Sequence, residues 1–172
     1  MYLCWPTICT HATKDECQGD FSSHFLTEKS RVTPLNGMTI PRSELNGVLL
    51  ESRLTLSVAK ALSTEVDLKP SCVTLLADSE CSISAIENTT SAFKPYFHNR
   101  LSEIKENLEE ISKICHTEPI FHVPGTLNSA DIATHSDVKI ADIGPDSTWQ
   151  RGPLFLSHRR DFYGLSPAIL SN

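Results

Sequence analysis

Residues 121–131, FHVPGTLNSAD, are the stretch of this sequence that decides its fold. The alternation at its start is typical of a strand end, the Pro-Gly pair stops the strand, and the residues from Asn128 have the composition of a helix start. Asp131 is then predicted in the first turn of a helix just past a buried strand, where the positive helix end stabilises an ionised carboxylate. The alternative is that Asp131 simply caps the helix, as acids at helix starts commonly do.

A second strand with an acid at its end lies upstream. The apolar run CVTLLA at Cys72–Ala77 has the length and composition of a central, buried strand. It ends at Asp78-Ser79, and a short helix is predicted from Glu80 to about Asn88. An acid that follows a buried strand in an α/β sheet is well placed for ligand chemistry, because strand ends open onto the crevice. Asp78 could equally be the N-cap of the short helix.

Two long amphipathic helices flank this strand in the sequence. The first is predicted from Pro41 to about Leu62, with the proline tolerated in the first turn, and the second from Pro95 to about Cys115. Glu44 lies at the start of the first helix, where the alternative to a functional role is an ordinary solvated side chain. Apolar or small residues recur at three- and four-residue steps at Leu45, Val48, Leu49, Ser52, Leu56 and Ala59, and at Phe97, Leu101, Ile104, Leu108, Ile111 and Cys115.

The first 32 residues predict a hairpin. Met1–Thr10 is strand-like with an interruption at Pro6, and a second strand within Phe21–Val32 is centred on residues 24–28. Cysteines and histidines in this region could ligate zinc, but their spacing matches no common zinc module, so we expect ordinary packing. These residues are Cys4, Cys9, His11, Cys17 and His24.

Composition excludes several classes of protein. A chain of 172 residues with 40% hydrophobic and 21% charged residues is long enough for one domain with a real core. No apolar run approaches the roughly 20 residues needed to cross a bilayer, and Met1–Thr10 lacks the basic start of a signal peptide. Six cysteines without a CxxC pair favour reduced intracellular thiols. The net charge of −6 argues against a simple electrostatic nucleic-acid binder.

The order of these elements is strand, strand, long helix, central strand, short helix, long helix, strand and helix, with acids at Glu44, Asp78 and Asp131. This arrangement resembles the ribonuclease H fold, and several strings resemble the RNase H region of Bel/Pao-type LTR retrotransposon polyproteins. The strings are Lys29–Pro34 (KSRVTP), Thr39–Leu45 (TIPRSEL), Ala77–Ser79 (ADS), Phe97–Ile104 (FHNRLSEI), His122–Asp131 and Trp149–Leu156 (WQRGPLFL).

The resemblance implies a mixed α/β domain over residues 1–136, with a central sheet flanked by helices, and an irregular C-terminal tail over residues 137–172. It also implies an endonuclease that cuts the RNA strand of RNA–DNA hybrids. Glu44, Asp78 and Asp131 would be the catalytic ligands of Mg²⁺ or Mn²⁺, because hard cations prefer clustered carboxylates.

Two departures from the family pattern affect the expected activity. The family's first acid comes from an Asp-Ala-Ser string that would fall upstream of Met1, so we expect a truncated first strand and a site that holds one ion only. Relatives outside the retrotransposons have a mobile histidine where this sequence has Thr126. We therefore expect the chain to be inactive by itself. The alternatives are an interaction domain that keeps the fold without the chemistry, and an unrelated α/β domain.

The resemblance also implies partners and a location. The reverse transcriptase and integrase portions of the same polyprotein would be partners, in a cytoplasmic virus-like particle or the nucleus, with no membrane. The reverse transcriptase would supply most of the basic surface that contacts the hybrid. Candidate contacts within this chain are Lys29, Arg31, Arg42 and Arg100.

Overall fold

A computed structural model describes residues 2–4, 7–10, 22–32, 38–88, 93–134 and 137–153 of the chain. Its strands are β1 (Tyr2–Cys4), β2 (Thr7–Thr10), β3 (Ser22–Phe25), β4 (Lys29–Arg31), β5 (Cys72–Val73), β6 (Leu76–Ala77), β7 (His116–Thr117) and β8 (Phe121–His122). Its α-helices are α1 (Ile40–Glu65), α2 (Glu80–Glu87), α3 (Pro95–Ser112), α4 (Ile140–Ile143) and α5 (Thr148–Arg151), and Gly125–Leu127 and Ser129–Thr134 form 3₁₀ helices.

The first four strands form the predicted hairpin. Strand β1 pairs with β4 and β2 pairs with β3, both antiparallel, from the Tyr2–Arg31 pair to the Thr10–Ser22 pair. Pro6, at which the sequence predicted an interruption of the first arm, lies outside the described residues. The second arm breaks at residues 26–28, where the sequence predicted its centre, so that detail of the prediction is wrong.

The two buried strands predicted around Asp78 and before Pro124 lie side by side and run parallel. Strand β5 pairs with β7 and β6 with β8, and the register shifts by one residue between the two pairs. Backbone bonds bridge the shift, with Glu118 N donating to Val73 O at 2.9 Å and Phe121 N donating to Leu75 O at 3.0 Å. Both strands therefore end at the same edge.

The predicted apolar faces of the long helices form the core. Helix α1 packs on α3 and covers the parallel strands. Ser52 is fully buried between the helices, where its hydroxyl donates to Leu49 O at 2.9 Å and accepts from Asn107 Nδ2 at 3.0 Å. The buried core cluster comprises Leu45, Val48, Leu49, Leu75, Ala77, Ile83, Ile86, Leu101, Ile104 and Ile120.

The predicted mixed α/β fold class is confirmed, and the strands of the described residues pair in four two-stranded sheets. One element differs in type, because the helix predicted after Asn128 is a six-residue 3₁₀ helix. The sequence also predicts an ion pair between Glu109 and Lys113, four residues apart on α3, but Lys113 pairs with Glu110 instead.

Helix α5 packs on β3 of the hairpin. From the sequence we also expect aromatic residues of the C-terminal tail to anchor it on the domain. The Trp149 ring is buried, and its centroid lies 5.9 Å from that of Phe25, in agreement with this expectation. The other residues expected to anchor the tail, Phe155, Leu156, Phe162 and Tyr163, lie outside the described residues, and the proposed domain boundary stays a prediction. In the described ranges, no helix combines the length and hydropathy that crossing a membrane requires.

Candidate functional site

The three predicted acids lie on three elements that meet at the carboxyl edge of the parallel strands. Glu44 is in the first turns of α1, Asp78 directly follows β6, and Asp131 is in the 3₁₀ helix that follows β8. Glu44 and Asp131 are half-buried, whereas Asp78 is exposed. The strand ends and the helix start thus carry acids that are 34 and 53 residues apart in the sequence. In the described residues, the carboxylate oxygens of these three acids do not all lie within 4.8 Å of one another.

A hydroxyl group connects Glu44 to the end of β6. Ser79 Oγ donates to Glu44 Oε2 at 2.7 Å. Ser79 Oγ also accepts a hydrogen bond from Ser82 N at 3.2 Å. Ser79, and not Asp78, is therefore the N-cap of α2. Because the neighbouring serine does the capping, the alternative role considered for Asp78 is removed and its carboxylate faces solvent.

An amide group connects Asp78 to the loop that carries Asp131. Asn128 Nδ2 donates to Asp78 Oδ2 at 3.1 Å, and Asn128 Oδ1 accepts from Ala130 N at 3.1 Å. Asn128 therefore accepts hydrogen bonds from two N–H groups at the start of the 3₁₀ helix, those of Ala130 and Asp131. Its bond to Asp78 also fixes the position of that carboxylate relative to the helix. Asn128 was not predicted as a site residue, although its place three residues before Asp131 is a typical capping position.

A fourth acid, Glu51, lies beneath this edge. It is two helical turns beyond Glu44 on α1, and its Oε1 accepts from Leu76 N at 3.3 Å. Burial of the carboxyl group raises the pKa of Glu51 to about 8, opposed by the Leu76 hydrogen bond and reinforced by the negative charge of Asp78. Glu51 is therefore neutral at neutral pH. Sequence analysis assigned it no role, because periodicity places it on the same helix face as Glu44 without revealing its surroundings.

Two of the predicted basic residues are organised by one aromatic ring. The guanidinium carbon of Arg100 lies 3.5 Å from the Tyr96 ring centroid, and that of Arg42 lies 4.7 Å from it. Asn46, which is buried, donates to Tyr96 Oη at 2.7 Å and accepts from Arg100 Nε at 2.7 Å. We call these four residues the arginine cluster. It joins the start of α1 to the start of α3.

The other two predicted basic residues lie on the hairpin. Lys29 and Arg31 are at opposite ends of β4 and are exposed. Because residues two apart on a strand share a face, both side chains lie on the same side of the hairpin. In the described residues no hydrogen bond or ion pair connects them to the arginine cluster.

The chemistry of the donor set fits a hard divalent cation. Glu44, Asp78 and Asp131 offer only carboxylate oxygens, the ligands that Mg²⁺ and Mn²⁺ prefer. Magnesium keeps several of its waters and needs only one or two carboxylates, so an exposed acid such as Asp78 suits it. Glu51 does not fit the same role at neutral pH, because its carboxyl group stays protonated below a pH of about 8.

Comparison with known proteins gives one match. Residues 7–79 match the family model of the Pao retrotransposon-like RNaseH-like domain. The matched segment, somewhat less than half of the chain, includes β2, β3, β4, α1, Glu44 and Asp78, and does not include Asp131. The resemblance to the RNase H-like region of Bel/Pao retrotransposons is thereby confirmed. No curated protein and no solved structure matches the chain significantly.

Proposed function

We propose that this chain, with its Pao retrotransposon-like RNaseH-like segment at residues 7–79, binds RNA–DNA hybrids and a divalent cation in the manner of a ribonuclease H domain. Glu44, Asp78 and Asp131 would hold the cation. The observation that carries the proposal is the pair of side-chain bonds, from Ser79 to Glu44 and from Asn128 to Asp78, that ties the acid-bearing elements to one strand edge.

A bound Mg²⁺ would stabilise the charge that develops on phosphate oxygens during cleavage of the RNA strand. Ser79 orients the Glu44 carboxylate from one side, and Asn128 orients the Asp78 carboxylate from the other. Glu51 supplies no additional charged ligand at neutral pH. Three carboxylates suffice for one ion, whereas cleavage by two ions about 4 Å apart needs ligands on both sides of a shared acid. We therefore expect this chain alone to bind hybrid and not to cut it detectably.

The arginine cluster is the proposed contact for the hybrid backbone. Arg42 and Arg100 present two cations held by the same tyrosine, and guanidinium groups bind phosphates in a bidentate manner. Because Arg42 and Asn46 are one helical turn apart on α1, they share the face that meets α3. Recognition of a hybrid would depend on groove shape and 2′-hydroxyl groups. Two cations at a fixed separation can contact phosphates whose spacing depends on that groove shape.

The net charge of −6 bears on the partners in this proposal. A chain with this charge repels a polyanion over most of its surface, so its own cations can supply only a small part of the affinity. Lys29 and Arg31 on the hairpin would add to the arginine cluster. The remaining basic surface would come from the reverse transcriptase portion of the same polyprotein. The chain would then be located with the virus-like particle that contains the polyprotein.

Binding without any metal-dependent chemistry is the second candidate function. It is favoured by the fact that Glu44 and Asp78 already accept hydrogen bonds from neutral protein side chains, which satisfies part of their demand without a cation. In that case the acids would be structural, and the chain would act as an interaction domain with an RNase H-like fold.

Hybrid binding with and without Mg²⁺ tests the proposal. We expect the chain to bind an RNA–DNA hybrid more tightly in Mg²⁺ than in EDTA, with Asp78→Asn losing that difference and Glu106→Gln, at an exposed position on α3, keeping it. Arg42→Gln should weaken binding and reduce the dependence of log K on log salt by about one unit for a phosphate contact. Arg53→Gln, which removes an exposed cation paired with Glu103, should not.

The outcomes separate the candidates. Binding of hybrid that ignores Mg²⁺ in both the natural chain and Asp78→Asn would favour the interaction domain. Binding that does not discriminate hybrid from duplex DNA would remove the ribonuclease H proposal. Cleavage of the RNA strand by the natural chain, abolished in Asp78→Asn, would mean that the site is complete as an enzyme.

A further inference from the structure

A second cluster of metal-ligating side chains lies at the opposite end of the parallel strands from the acids. Cys72 and His116 are paired residues of β5 and β7. Glu118 follows two residues after His116, and its N–H continues the ladder by donating to Val73 O at 2.9 Å. Because residues two apart on an extended chain share a face, the pairing register places all three side chains on one side of the ladder.

The ligand atoms of these three residues are close together. A sulfur, a ring nitrogen and a carboxylate oxygen from Cys72, His116 and Glu118 all lie within 4.8 Å of one another. His116 Nε2 is 3.4 Å from Glu118 Oε1. Among the cysteine, histidine, aspartate and glutamate residues that the structure describes, this is the one group of three or more with that property. His116 and Cys72 are exposed, so an ion can reach the cluster from solvent.

The composition of the cluster selects the ion. Thiolate, imidazole and carboxylate are the three ligand types of zinc sites, whereas Mg²⁺ takes oxygen ligands. Three protein ligands and one water give the tetrahedral arrangement that zinc adopts in sites open to solvent. Cys115 precedes His116 in the sequence, but its thiol is not among the ligand atoms that lie within 4.8 Å of one another. Both thiols also contact a backbone oxygen at 3.8 Å, that of Cys72 contacting Val73 O and that of Cys115 contacting Ile111 O.

We propose that Cys72 Sγ, His116 Nε2 and Glu118 Oε1 bind one Zn²⁺, with a water molecule as the fourth ligand. Binding releases to solvent the Cys72 thiol proton and any proton on His116 Nε2, and it replaces the contact between His116 and Glu118 by two metal–ligand bonds. The ion joins β5 to β7 at the end of the ladder that is farthest from Glu44, Asp78 and Asp131. The site is therefore independent of the proposed cation at the acids.

Cobalt substitution followed by zinc competition tests this site in the full chain under reducing conditions. We expect one equivalent of Co²⁺ to produce a thiolate-to-cobalt charge-transfer absorption, which carboxylate sites cannot give, and Zn²⁺ to displace it. Cys72→Ser should abolish the absorption and weaken Zn²⁺ binding by more than about tenfold, since even outer-sphere changes cost 10–100-fold. His116→Gln and Glu118→Gln should weaken Zn²⁺ binding by a similar factor.

Matched variants give the controls. Cys81→Ser removes an exposed thiol on α2, and Cys115→Ser removes the neighbouring thiol, and both should keep the absorption. Asp78→Asn should also keep it, so failure at the acid site and failure at the zinc site are distinguishable. Zn²⁺ should raise the melting temperature of the natural chain and not that of Cys72→Ser, which also reports that the variant folds.

Two results would overturn the proposal. One is the absence of a thiolate-to-cobalt absorption in the natural chain, which would leave Cys72, His116 and Glu118 as an ordinary ion pair beside a thiol. The other is an absorption that survives Cys72→Ser, or that is lost in Cys115→Ser, because other cysteines would then be the ligands.

Discussion

Glu44 and Glu51 are seven residues apart on the same face of α1, yet their surroundings differ completely. Glu44 lies at the open strand edge, where a hydroxyl group donates to it and Asp78 and Asp131 are on neighbouring elements. Glu51 lies two turns deeper, where it accepts from the backbone of β6 and burial raises its pKa to about 8. Two turns of helix thus separate a carboxylate that can take part in cation binding from one that is neutral at neutral pH.

The comparison indicates what a cation site requires of a glutamate on this helix. The residue must face the strands, which both glutamates do, and its carboxyl group must be ionised at neutral pH. Burial of the carboxyl group, with a smaller contribution from the charge of Asp78, keeps Glu51 from meeting the second condition. Three substitutions test this difference, at Glu51, at Ser79 and at Asp78. Their expected effects on the unfolding free energy decrease in that order.

The largest expected effect concerns Glu51 and pH. Its pKa is 4.5 in the unfolded chain and about 8 in the folded chain, so the folded state binds the proton more tightly. Below pH 4.5 both states are protonated and the substitution Glu51→Gln changes no charge. As the pH rises to about 8, the unfolded state ionises first, and the natural chain loses about 1.4 kcal/mol of unfolding free energy per pH unit.

Glu51→Gln lacks this loss and keeps an oxygen that can accept from Leu76 N. We therefore expect the variant's unfolding free energy to exceed that of the natural chain by an amount that grows from pH 5 to pH 8, up to about 5 kcal/mol. Urea unfolding over this pH range measures it. Glu106→Gln, at an exposed position, should show a difference that does not change with pH. An equally flat difference for Glu51→Gln would mean that folding does not raise the pKa of Glu51.

An intermediate effect is expected at Ser79. This buried residue caps α2 and donates to Glu44 Oε2, so Ser79→Ala removes the hydroxyl's contacts with Glu44 Oε2, Ser82 N and Ser82 Oγ. We expect a loss of about 1–3 kcal/mol of unfolding free energy, measured by urea unfolding. Ser57→Ala, at an exposed position of α1, is the control and should be nearly neutral.

Ser79→Gly separates the two roles of the hydroxyl, because glycine is tolerated at an N-cap at a cost of only a few tenths of a kcal/mol. If the Glu44 bond matters, Ser79→Gly should still lose more than about 1 kcal/mol. A loss no larger than that of Ser57→Ala would show that Glu44 does not depend on Ser79 for its position.

The sequence predicted the elements that carry Glu44 and Glu51, but not the different surroundings of the two residues. Hydrophobic periodicity gave α1, α3 and the buried strands, since burial of an apolar face leaves a repeat of three and four residues at positions such as Leu45, Val48 and Leu49. Resemblance, and not periodicity, singled out Glu44 from Glu51. The environment of Glu51 depends on Leu76 N, 25 residues away, and no local pattern encodes which backbone group a side chain meets.

Other parts of the site depend on contacts between distant residues in the same way. The bond from Asn128 to Asp78 spans 50 residues, and the arginine cluster depends on Asn46 reaching Tyr96 across 50 residues. The 3₁₀ helix at Ser129–Thr134 was predicted as an α-helix because capping composition does not specify how many turns follow. Cys72 and His116 became neighbours only through the parallel register of β5 and β7.

The smallest expected effect on stability is that of Asp78→Asn. Asp78 is relevant to both glutamates, because it is the proposed co-ligand of Glu44 and its charge raises the pKa of Glu51. The negative charge of Asp78 contributes to the raised pKa of Glu51, so the two carboxylates repel each other once Glu51 ionises. The asparagine keeps an oxygen that can accept from Asn128 Nδ2 while removing the charge. Without Mg²⁺ we expect a gain of less than about 1 kcal/mol in unfolding free energy, larger at pH 9 than at pH 6, as for weakly screened surface charges.

If Asp78 is a ligand, Mg²⁺ should make the natural chain more stable than Asp78→Asn, the reverse of the order expected without Mg²⁺. A cation that binds only the folded state stabilises it by mass action, and the stabilisation grows with concentration above the Kd. Millimolar Mg²⁺ should therefore raise the melting temperature of the natural chain and of Glu106→Gln, and should have little effect on Asp78→Asn. The same increase in all three chains would place the cation away from Asp78. The cation site proposed at Glu44, Asp78 and Asp131 would then be wrong.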